Sequence, residues 1–253
     1  MKKLKNLTLL LIFSGLAFIA AAVCMQLFTP AAHIRNGASA QTKYFKNVRD
    51  IVIISGSLPI ELSYTEGEEC IVNGLSELPL IISCSETGEL RITQDDSFTL
   101  SLFSKSSENY RISVQVPRKS YGRISLSSSG GEITSEAISC ESFEVSTKNG
   151  GINISGADER TKIKTAGGDI TLSLTSLNGD MTINGGKGDI NLSVPEKLSY
   201  FLEFGTESGH CTTTGFPEDL AEKKGDAALL SGKGGTVLKI NTTSGNLKIT
   251  RTK

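Results

Sequence analysis

Three aspartates occupy the positions from which this sequence could bind a metal ion. Asp169, Asp180 and Asp189 each stand between a glycine and a short apolar run. Calcium prefers carboxylate and carbonyl oxygens, and calcium-binding β-rolls carry a repeat of the form G-G-x-G-x-D. The run Gly185–Asp189 places its aspartate one residue early, and Lys187 adds a positive charge. The other copies of the turn carry Glu132, Ile152 or Asn246 in place of the aspartate. We therefore interpret these aspartates as turn residues before strands and predict neither a metal site nor a cofactor.

The remaining reactive residues do not predict an active site. The chain has two histidines, and His210 and Cys211 would point to opposite faces of a strand, while His33 lies in a linker. The glycines at 232–235 precede the strand-like run Val237–Ile240, whereas a phosphate-binding loop opens a helix. No Trp and only 15 aromatic residues weaken a sugar-stacking platform. We predict a non-catalytic protein with no catalytic residues, and a glycan-acting β-helix enzyme remains an alternative.

Four cysteines lie outside the N-terminal segment: Cys70, Cys84, Cys140 and Cys211. Cys70 and Cys84 flank a predicted strand-turn-strand unit and are the most plausible disulfide pair. Small, buried, unpaired thiols are at least as plausible, and four cysteines allow three complete pairings. The sequence leaves the pairing open.

The N-terminal segment, residues 1–28, predicts a signal anchor. Residues 7–28 carry no charge and as a helix would span about 33 Å, enough to cross a bilayer core. Lys2, Lys3 and Lys5 precede this run, which predicts a cytoplasmic N-terminus and an extracytoplasmic C-terminal part. A cleaved signal peptide is the alternative, but Ala38–Ala40 lies far beyond the apolar run. We expect a single-pass protein of the cell membrane that uses this helix as its membrane contact.

The charge of the exported part excludes a nucleic-acid partner. The whole chain has 26 Lys plus Arg against 27 Asp plus Glu, and residues 1–28 contribute three Lys and no acid. The remainder carries 23 positive and 27 negative groups, a net charge of −4. This mildly acidic surface has no basic footprint for nucleic acid.

Glycine divides the exported part into regions. Residues 29–41 are predicted to form a linker, residues 42–118 an N-terminal β region, and residues 119–253 a Gly-rich repeating region that continues the β region without a break. Only six of the 26 Gly precede residue 122. The polar segment Pro217–Ala227 interrupts the repeat and predicts a loop or a short helical excursion.

The Gly-rich half predicts an all-β solenoid. Glycine-bearing turns recur about every twenty residues and lead into alternating strands such as Ile170–Leu174. Glycine tolerates a positive φ and would let the backbone turn sharply at each corner. One such strand cannot bury its apolar row alone, whereas stacked copies form a continuous core. The predicted core residues are Ile152, Ile154, Ile170, Leu172, Met181, Ile183, Ile190 and Leu192. A sandwich of ordinary hairpins is the alternative fold.

The repeated Gly-Asp-Ile-x-Leu element (Gly168–Leu172 and Gly188–Leu192), with Val194-Pro195 and the terminal Thr242–Ile249, resembles the bacterial DUF4097 family. The resemblance covers about residues 45–250 and is clearest from Gly130 onward. It implies a β-helical adhesin-type surface protein of the bacterial cell envelope, binding an envelope protein or a surface glycan. An accessory or sensor protein of an envelope stress system is an alternative. The oligomeric state stays open.

Overall fold

The computed structural model describes residues 40–75, 80–94, 110–136, 138–157, 160–177, 179–198, 200–215, 223–224, 227–231 and 236–252. Residues 39–253 form one compact unit. The secondary structure of the described residues is entirely β, without a helix, which confirms the all-β prediction. None of the described segments is a helix with the length and apolar character needed to span a bilayer. The predicted anchor, His33 and nearly all of the predicted linker lie outside the described residues.

Most of the strands are four to eight residues long. Their bounds are β1 Ala40–Phe45, β2 Asp50–Ser55, β3 Ile60–Thr65, β4 Cys70–Leu75, β5 Leu80–Cys84, β6 Glu89–Gln94, β7 Ile112–Pro117, β8 Tyr121–Ser128, β9 Ile133–Glu136, β10 Cys140–Thr147, β11 Ile152–Ala157, β12 Thr161–Thr165, β13 Ile170–Leu174, β14 Met181–Asn184, β15 Ile190–Pro195, β16 Tyr200–Thr206, β17 His210–Thr214, β18 Lys223–Lys224, β19 Ala227–Ser231, β20 Val237–Thr242 and β21 Leu247–Thr252.

Two sheets build the fold, and in the stacked coils the chain passes from one sheet to the other, whereas the successive strands β3–β4, β5–β6, β17–β18 and β19–β20 stay in one sheet. Sheet A has the order β1-β4-β7-β3-β9-β11-β13-β15-β21-β17-β18, and sheet B has the order β19-β16-β20-β14-β12-β10-β8-β2-β6-β5. Each coil consists of one sheet-B strand followed by one sheet-A strand, such as β12 and β13. Neighbouring coils pair in parallel and in register, with Ile152 beside Ile170 and Ile170 beside Ile190. This stacking excludes a sandwich of hairpins for the central coils.

The coils do not stack in chain order at the two ends. At the C-terminal end, β20 and β21 insert between β14/β15 and β16/β17. At the other end, β6 and β7 lie outside β2 and β3. Antiparallel strands cap both ends: β4 and β5 pair with β7 and β6, and β18 and β19 pair with β17 and β16. These caps cover strand edges that would otherwise present unpaired backbone groups.

The core lies between the two sheets because alternate side chains of each strand point inward. All eight predicted core residues are buried, with at most 2% of their surface exposed. The inward positions of the flanking coils are filled in the same way, by Ile60 and Leu62 on β3 and by Leu247 and Ile249 on β21. The apolar periodicity of the repeat therefore predicted the core correctly.

The glycines at the corners serve a different purpose from the one expected. The positive-φ glycines of the described chain are Gly88, Gly156 and Gly215, and none of them belongs to the repeated corner. A Cβ on Gly168 would instead overlap the carbonyl oxygen of Gly150, the equivalent glycine of the neighbouring coil. The same close approach links all the stacked corner glycines: Gly131, Gly150, Gly168, Gly188, Gly245 and Gly209. These glycines let the backbones of successive coils touch.

At five of the six corners, a hydroxyl three residues before the glycine hydrogen-bonds to that glycine, and only Gly188 has a glycine, Gly185, at this position. Thr147 Oγ1 donates to the Gly150 carbonyl at 2.6 Å, and the Gly168 amide donates to Thr165 Oγ1 at 3.0 Å. Thr147 and Thr165 also contact each other through their hydroxyls at 3.2 Å. The same Ser/Thr-x-x-Gly spacing recurs at Ser128–Gly131, Thr206–Gly209 and Thr242–Gly245. These bonds satisfy buried polar groups at the rim of the core.

Candidate functional site

The predicted metal-binding aspartates do not converge. Asp169 and Asp189 lie side by side before sheet-A strands, whereas Asp180 precedes a strand of sheet B. Asp169 Oδ1 accepts a hydrogen bond from the Asp189 amide at 2.8 Å, and Asp189 Oδ1 accepts one from the Asn246 amide at 2.8 Å. Asn246 Oδ1 in turn accepts from the His210 amide at 3.1 Å.

Each of these aspartates, which precede a strand, accepts a hydrogen bond from a backbone amide of the neighbouring coil. The arrangement recurs on sheet B, where Asp180 Oδ1 accepts from the Val237 amide at 2.9 Å and Asp50 Oδ1 from the Arg123 amide at 2.7 Å. Within the described residues no group of three His, Cys, Asp or Glu side chains could hold a metal ion. The predicted equivalence of Ile152 with the three aspartates is wrong by one residue. Ile152 pairs with Ile170, so Gly151 occupies the position of Asp169.

Cys70 and Cys84 are separate thiols and form no disulfide with each other. Cys70, Cys140 and Cys211 are buried and Cys84 is exposed. Cys70 Sγ lies 3.9 Å from the hydroxyl oxygen of Tyr121, which donates to the Pro117 carbonyl at 3.1 Å. Burial raises the pKa of the Cys70 thiol and outweighs the Tyr121 hydrogen bond, which lowers it. Burial is also the largest cause that raises the pKa of Tyr121. Both groups are therefore held neutral in the core at neutral pH.

The other candidate residues are not assembled into a catalytic site. His210 is exposed and Cys211 is buried, so the two side chains point to opposite faces of β17 as predicted. Val237–Ile240 lies in strand β20, and the glycines at 232–235 fall outside the described residues. Of the segment Pro217–Ala227, the structure describes Lys223–Lys224, which pairs with β17, and Ala227, which begins β19.

The outer face of sheet A carries an uncharged polar strip across four central coils. The strand registers place Thr134, Asn153, Thr171 and Asn191 in one row, because each lies beside the next on neighbouring strands. A second row runs parallel to it two residues further along the strands and crosses three coils, since the charged Glu136 occupies the position beside Ser155 on β9. The polar strip consists of Thr134, Asn153, Thr171 and Asn191 in the first row and Ser155, Ser173 and Ser193 in the second. The first row crosses four strands, a distance of about 14 Å.

The side chains of the polar strip point to solvent and have no protein partner within the described part of the chain. Six of the seven are exposed and Ser193 is half-buried. Their hydroxyl and amide groups can donate and accept hydrogen bonds at once. The strip thus presents a periodic set of hydrogen-bonding groups that bind no described residue.

A cleft of about 260 Å³ adjoins the strip at its Thr134 end. Its lining residues are Pro59, Ile60, Glu61, Tyr110, Arg111, Glu132 and Thr134. Arg111 Nη1 donates to Glu61 Oε2 at 3.1 Å across the cleft wall. Glu132, by contrast, is exposed and makes no side-chain hydrogen bond or ion pair to the described residues. Tyr110 is half-buried and packs against the core.

The sequence matches the DUF4097 family described as Toastrack over residues 48–158 and again over residues 123–250. The chain belongs to the Toastrack family. The two matches overlap and together extend from residue 48 to residue 250, across the stacked coils and both ends of the solenoid.

Solved structures similar to this Toastrack chain come from several bacterial genera. A candidate cell adhesion protein of Clostridium sporogenes is 16% identical, with a TM-score of 0.46 over 85% of this chain and 99% of that one. A candidate adhesin of Bacteroides fragilis is 10% identical, with a TM-score of 0.32 over 85% and 98%. A candidate lipid-binding protein of Parabacteroides distasonis is 13% identical, with a TM-score of 0.31 over 86% and 98%. No curated protein sequence matches the chain.

Sequence reasoning missed both the polar strip and the cleft of this Toastrack protein. A signal for the strip was present, because Ile152–Ser155, Ile170–Ser173 and Ile190–Ser193 all read as apolar, Asn or Thr, apolar, Ser. Aligning these copies by their inward residues puts the outward ones in two rows. The cleft had no such signal, since Glu61, Tyr110 and Glu132 are far apart in sequence and meet only through the stacking order.

Proposed function

We propose that this Toastrack protein is a non-catalytic binding scaffold of the bacterial cell envelope, of the adhesin type, and that the polar strip is its binding face. The observation that carries the proposal is the in-register array of uncharged polar side chains that bind nothing else in the described structure. Because these side chains bind no other described residue, they are available to a ligand.

The chemistry of the strip favours binding over catalysis. Hydroxyl and amide side chains make hydrogen bonds with either polarity but do not titrate near neutral pH. The parallel, register-locked strands fix their spacing, which reduces the ordering cost when a ligand binds. A rigid surface of this kind recognises a repeating partner without transforming it.

Membrane anchoring is the second part of the proposal. The uncharged run at residues 7–28, preceded by Lys2, Lys3 and Lys5, supports an anchor that holds the solenoid outside the cytoplasmic membrane. Protease treatment of intact cells tests this orientation. Protease should remove a C-terminal tag from intact cells. In a separate assay, untreated protein should stay in the membrane fraction after an alkali wash. Protection of the tag, or release of the protein by the wash, would overturn the anchored orientation.

Co-sedimentation of the purified full chain with insoluble bacterial cell-wall material tests the binding face. Thr171→Lys places a charged, longer side chain in the centre of the strip and should weaken retention at least about tenfold, because the lysine blocks hydrogen bonding by its neighbours. Ser125→Lys adds the same group to the outer face of sheet B and should leave retention unchanged. Equal retention of the two variants would show that sheet A is not the binding face.

A further inference from the structure

We infer that the cleft beside the polar strip is a saccharide-binding subsite that takes one sugar residue of a neutral glycan chain lying along the strip. The inference rests on the proposed function, because it names the ligand class of the same face. It depends on the groups that line the cleft and on the way the cleft continues the strip.

Glu132 provides the strongest argument for a polar ligand. Glu132 is exposed and lines the cleft, and no described residue donates a hydrogen bond to its carboxylate. A carboxylate has two acceptor oxygens, which suit two hydroxyl donors on adjacent carbons of a sugar ring. Hydrogen bonds to a charged acceptor are also about twice as strong as those between neutral groups.

The opposite parts of the cleft supply a donor and a ring. Arg111 uses Nη1 to bind Glu61 at 3.1 Å, and its guanidinium carries further N–H groups beyond that bond. Tyr110 brings a ring that the core holds in place, with its partly exposed surface in the cleft. An acceptor, a donor and one immobile aromatic surface form a set that matches a pyranose ring, which is apolar on its faces and hydroxylated at its rim.

The strip extends this match along the chain of the ligand. Thr134 belongs to both the cleft and the first row of the strip. From Thr134 the row advances by one hydroxyl or amide side chain per strand, about 4.8 Å each. A glycan residue bound in the cleft therefore has its neighbours above Asn153 and Thr171.

The composition of the polar strip disfavours other macromolecules. Protein interfaces centre on aromatic, Met and Arg residues in well-packed pockets, whereas the strip is made of Ser, Thr and Asn. Nucleic acid requires clustered Lys and Arg, and the strip carries no charge. A neutral glycan needs neither a hydrophobic anchor nor phosphate contacts.

Titration calorimetry of the full chain in a sugar-free detergent tests the inference. The probes are three soluble neutral hexasaccharides (a β-1,4-glucan, a β-1,4-linked N-acetylglucosamine chain and an α-1,4-glucan) together with their disaccharides. At least one hexasaccharide should bind, and at least about tenfold more tightly than its disaccharide, because the longer chain reaches from the cleft onto the strip.

Variants of the cleft residues test whether one sugar residue of the hexasaccharide binds in the cleft. Glu132→Gln should weaken binding about tenfold, since it removes a charged acceptor, while Glu141→Gln removes an exposed carboxylate on sheet B and should have no effect. Tyr110→Leu keeps the packing against the core but removes the ring and should weaken binding about tenfold. Tyr110→Phe keeps the ring and should bind within about threefold of the wild type.

The outcomes separate this inference from the proposed function. If no hexasaccharide binds while Thr171→Lys still abolishes retention on cell-wall material, the scaffold function stands and the saccharide assignment is overturned. If a hexasaccharide binds but Glu132→Gln and Tyr110→Leu leave its affinity unchanged, the ligand class stands and the cleft assignment is overturned. If retention does not depend on Thr171, the binding face itself is wrong.

Discussion

In the coils formed by β8 to β13, the two outer faces carry different side chains. On sheet B, Glu144 lies between Arg123 at 3.0 Å and Lys162 at 4.0 Å. On sheet A the same coils present Thr134, Asn153 and Thr171, which bind no described residue. The two faces thus share one backbone repeat but differ in the use of their side chains.

The pairing on sheet B continues in the later coils. Asn241 Nδ2 donates to Asn184 Oδ1 at 3.2 Å, and Lys239 binds Glu203 at 3.1 Å. Sheet A also has an ion pair outside the polar strip, between Arg111 and Glu61 at 3.1 Å, so the contrast concerns the strip and not the whole of sheet A. The difference indicates that these sheet-B side chains stabilise the fold through pairs, whereas those of the polar strip bind no described residue.

The largest expected effect comes from the corner that sets the register of both faces. In Gly168→Ala the new Cβ would overlap the Gly150 carbonyl, and the backbone atoms involved cannot move aside without shifting a coil. We expect the free energy of unfolding to fall by about 3 kcal/mol or more, measured by chemical denaturation. A shifted coil should also disturb the rows on both faces together.

Gly130→Ala is the matched control for this corner. A Cβ on Gly130 meets nothing within 4 Å, and its φ is not positive. We expect a change within about 0.5 kcal/mol. Similar losses in the two variants would mean that glycine acts here through chain flexibility and not through the contact between coils.

These corners show which parts of the fold the sequence could reveal. Alternation of apolar residues predicted the buried positions because a strand has a period of two residues. The positions of the corner glycines were predicted correctly, but their role was not. A contact between neighbouring coils cannot be recognised in any single copy of the repeat. The Ser/Thr-x-x-Gly spacing, visible at Thr147–Gly150 and Thr165–Gly168, could have indicated those contacts.

The order of the coils could not be predicted. β20 alternates buried apolar residues as β16 does, yet β20 and β21 insert between β14/β15 and β16/β17. Local pattern specifies that a strand stacks but not on which neighbour it stacks. The cleft depends on this order as well, because β7 places Arg111 beside β3 and Glu61.

A smaller effect is expected from the aspartates that border both faces. Asp189→Ala removes the acceptor for the Asn246 amide, and Asp180→Ala removes that for the Val237 amide. Asp180→Ala should lose about 1 kcal/mol of unfolding free energy, because one hydrogen bond to an exposed amide is lost. Asp189→Ala should lose up to about twice as much, because Asp189 Oδ1 also accepts from Asn246 Nδ2 at 3.0 Å. The aspartates that border the two faces are therefore expected to stabilise the fold in the same way, although the side chains on the two faces differ.

Asp189→Asn distinguishes this structural role from a metal-binding one. Asparagine keeps Oδ1 as an acceptor, as Asn246 already does one coil further on. We expect the stability of Asp189→Asn to lie within about 0.5 kcal/mol of the wild type, with or without added calcium. A stabilisation by calcium that Asp189→Asn abolishes would contradict the structural role.

The smallest effects test the difference between the faces directly. On sheet B, Glu144→Gln removes the ion pairs with Arg123 and Lys162. The free energy of unfolding should fall by about 0.2–1 kcal/mol at low salt and by less at high salt, since exposed pairs are screened.

On sheet A, Thr171→Val keeps the branched shape and removes only the hydroxyl. Its stability should be unchanged at either salt concentration, because that hydroxyl has no partner in the described structure, while retention on cell-wall material should fall. Denaturation at two salt concentrations measures both variants. A loss of stability in Thr171→Val comparable to that in Glu144→Gln would remove the distinction between a face that serves the fold and a face that serves a ligand.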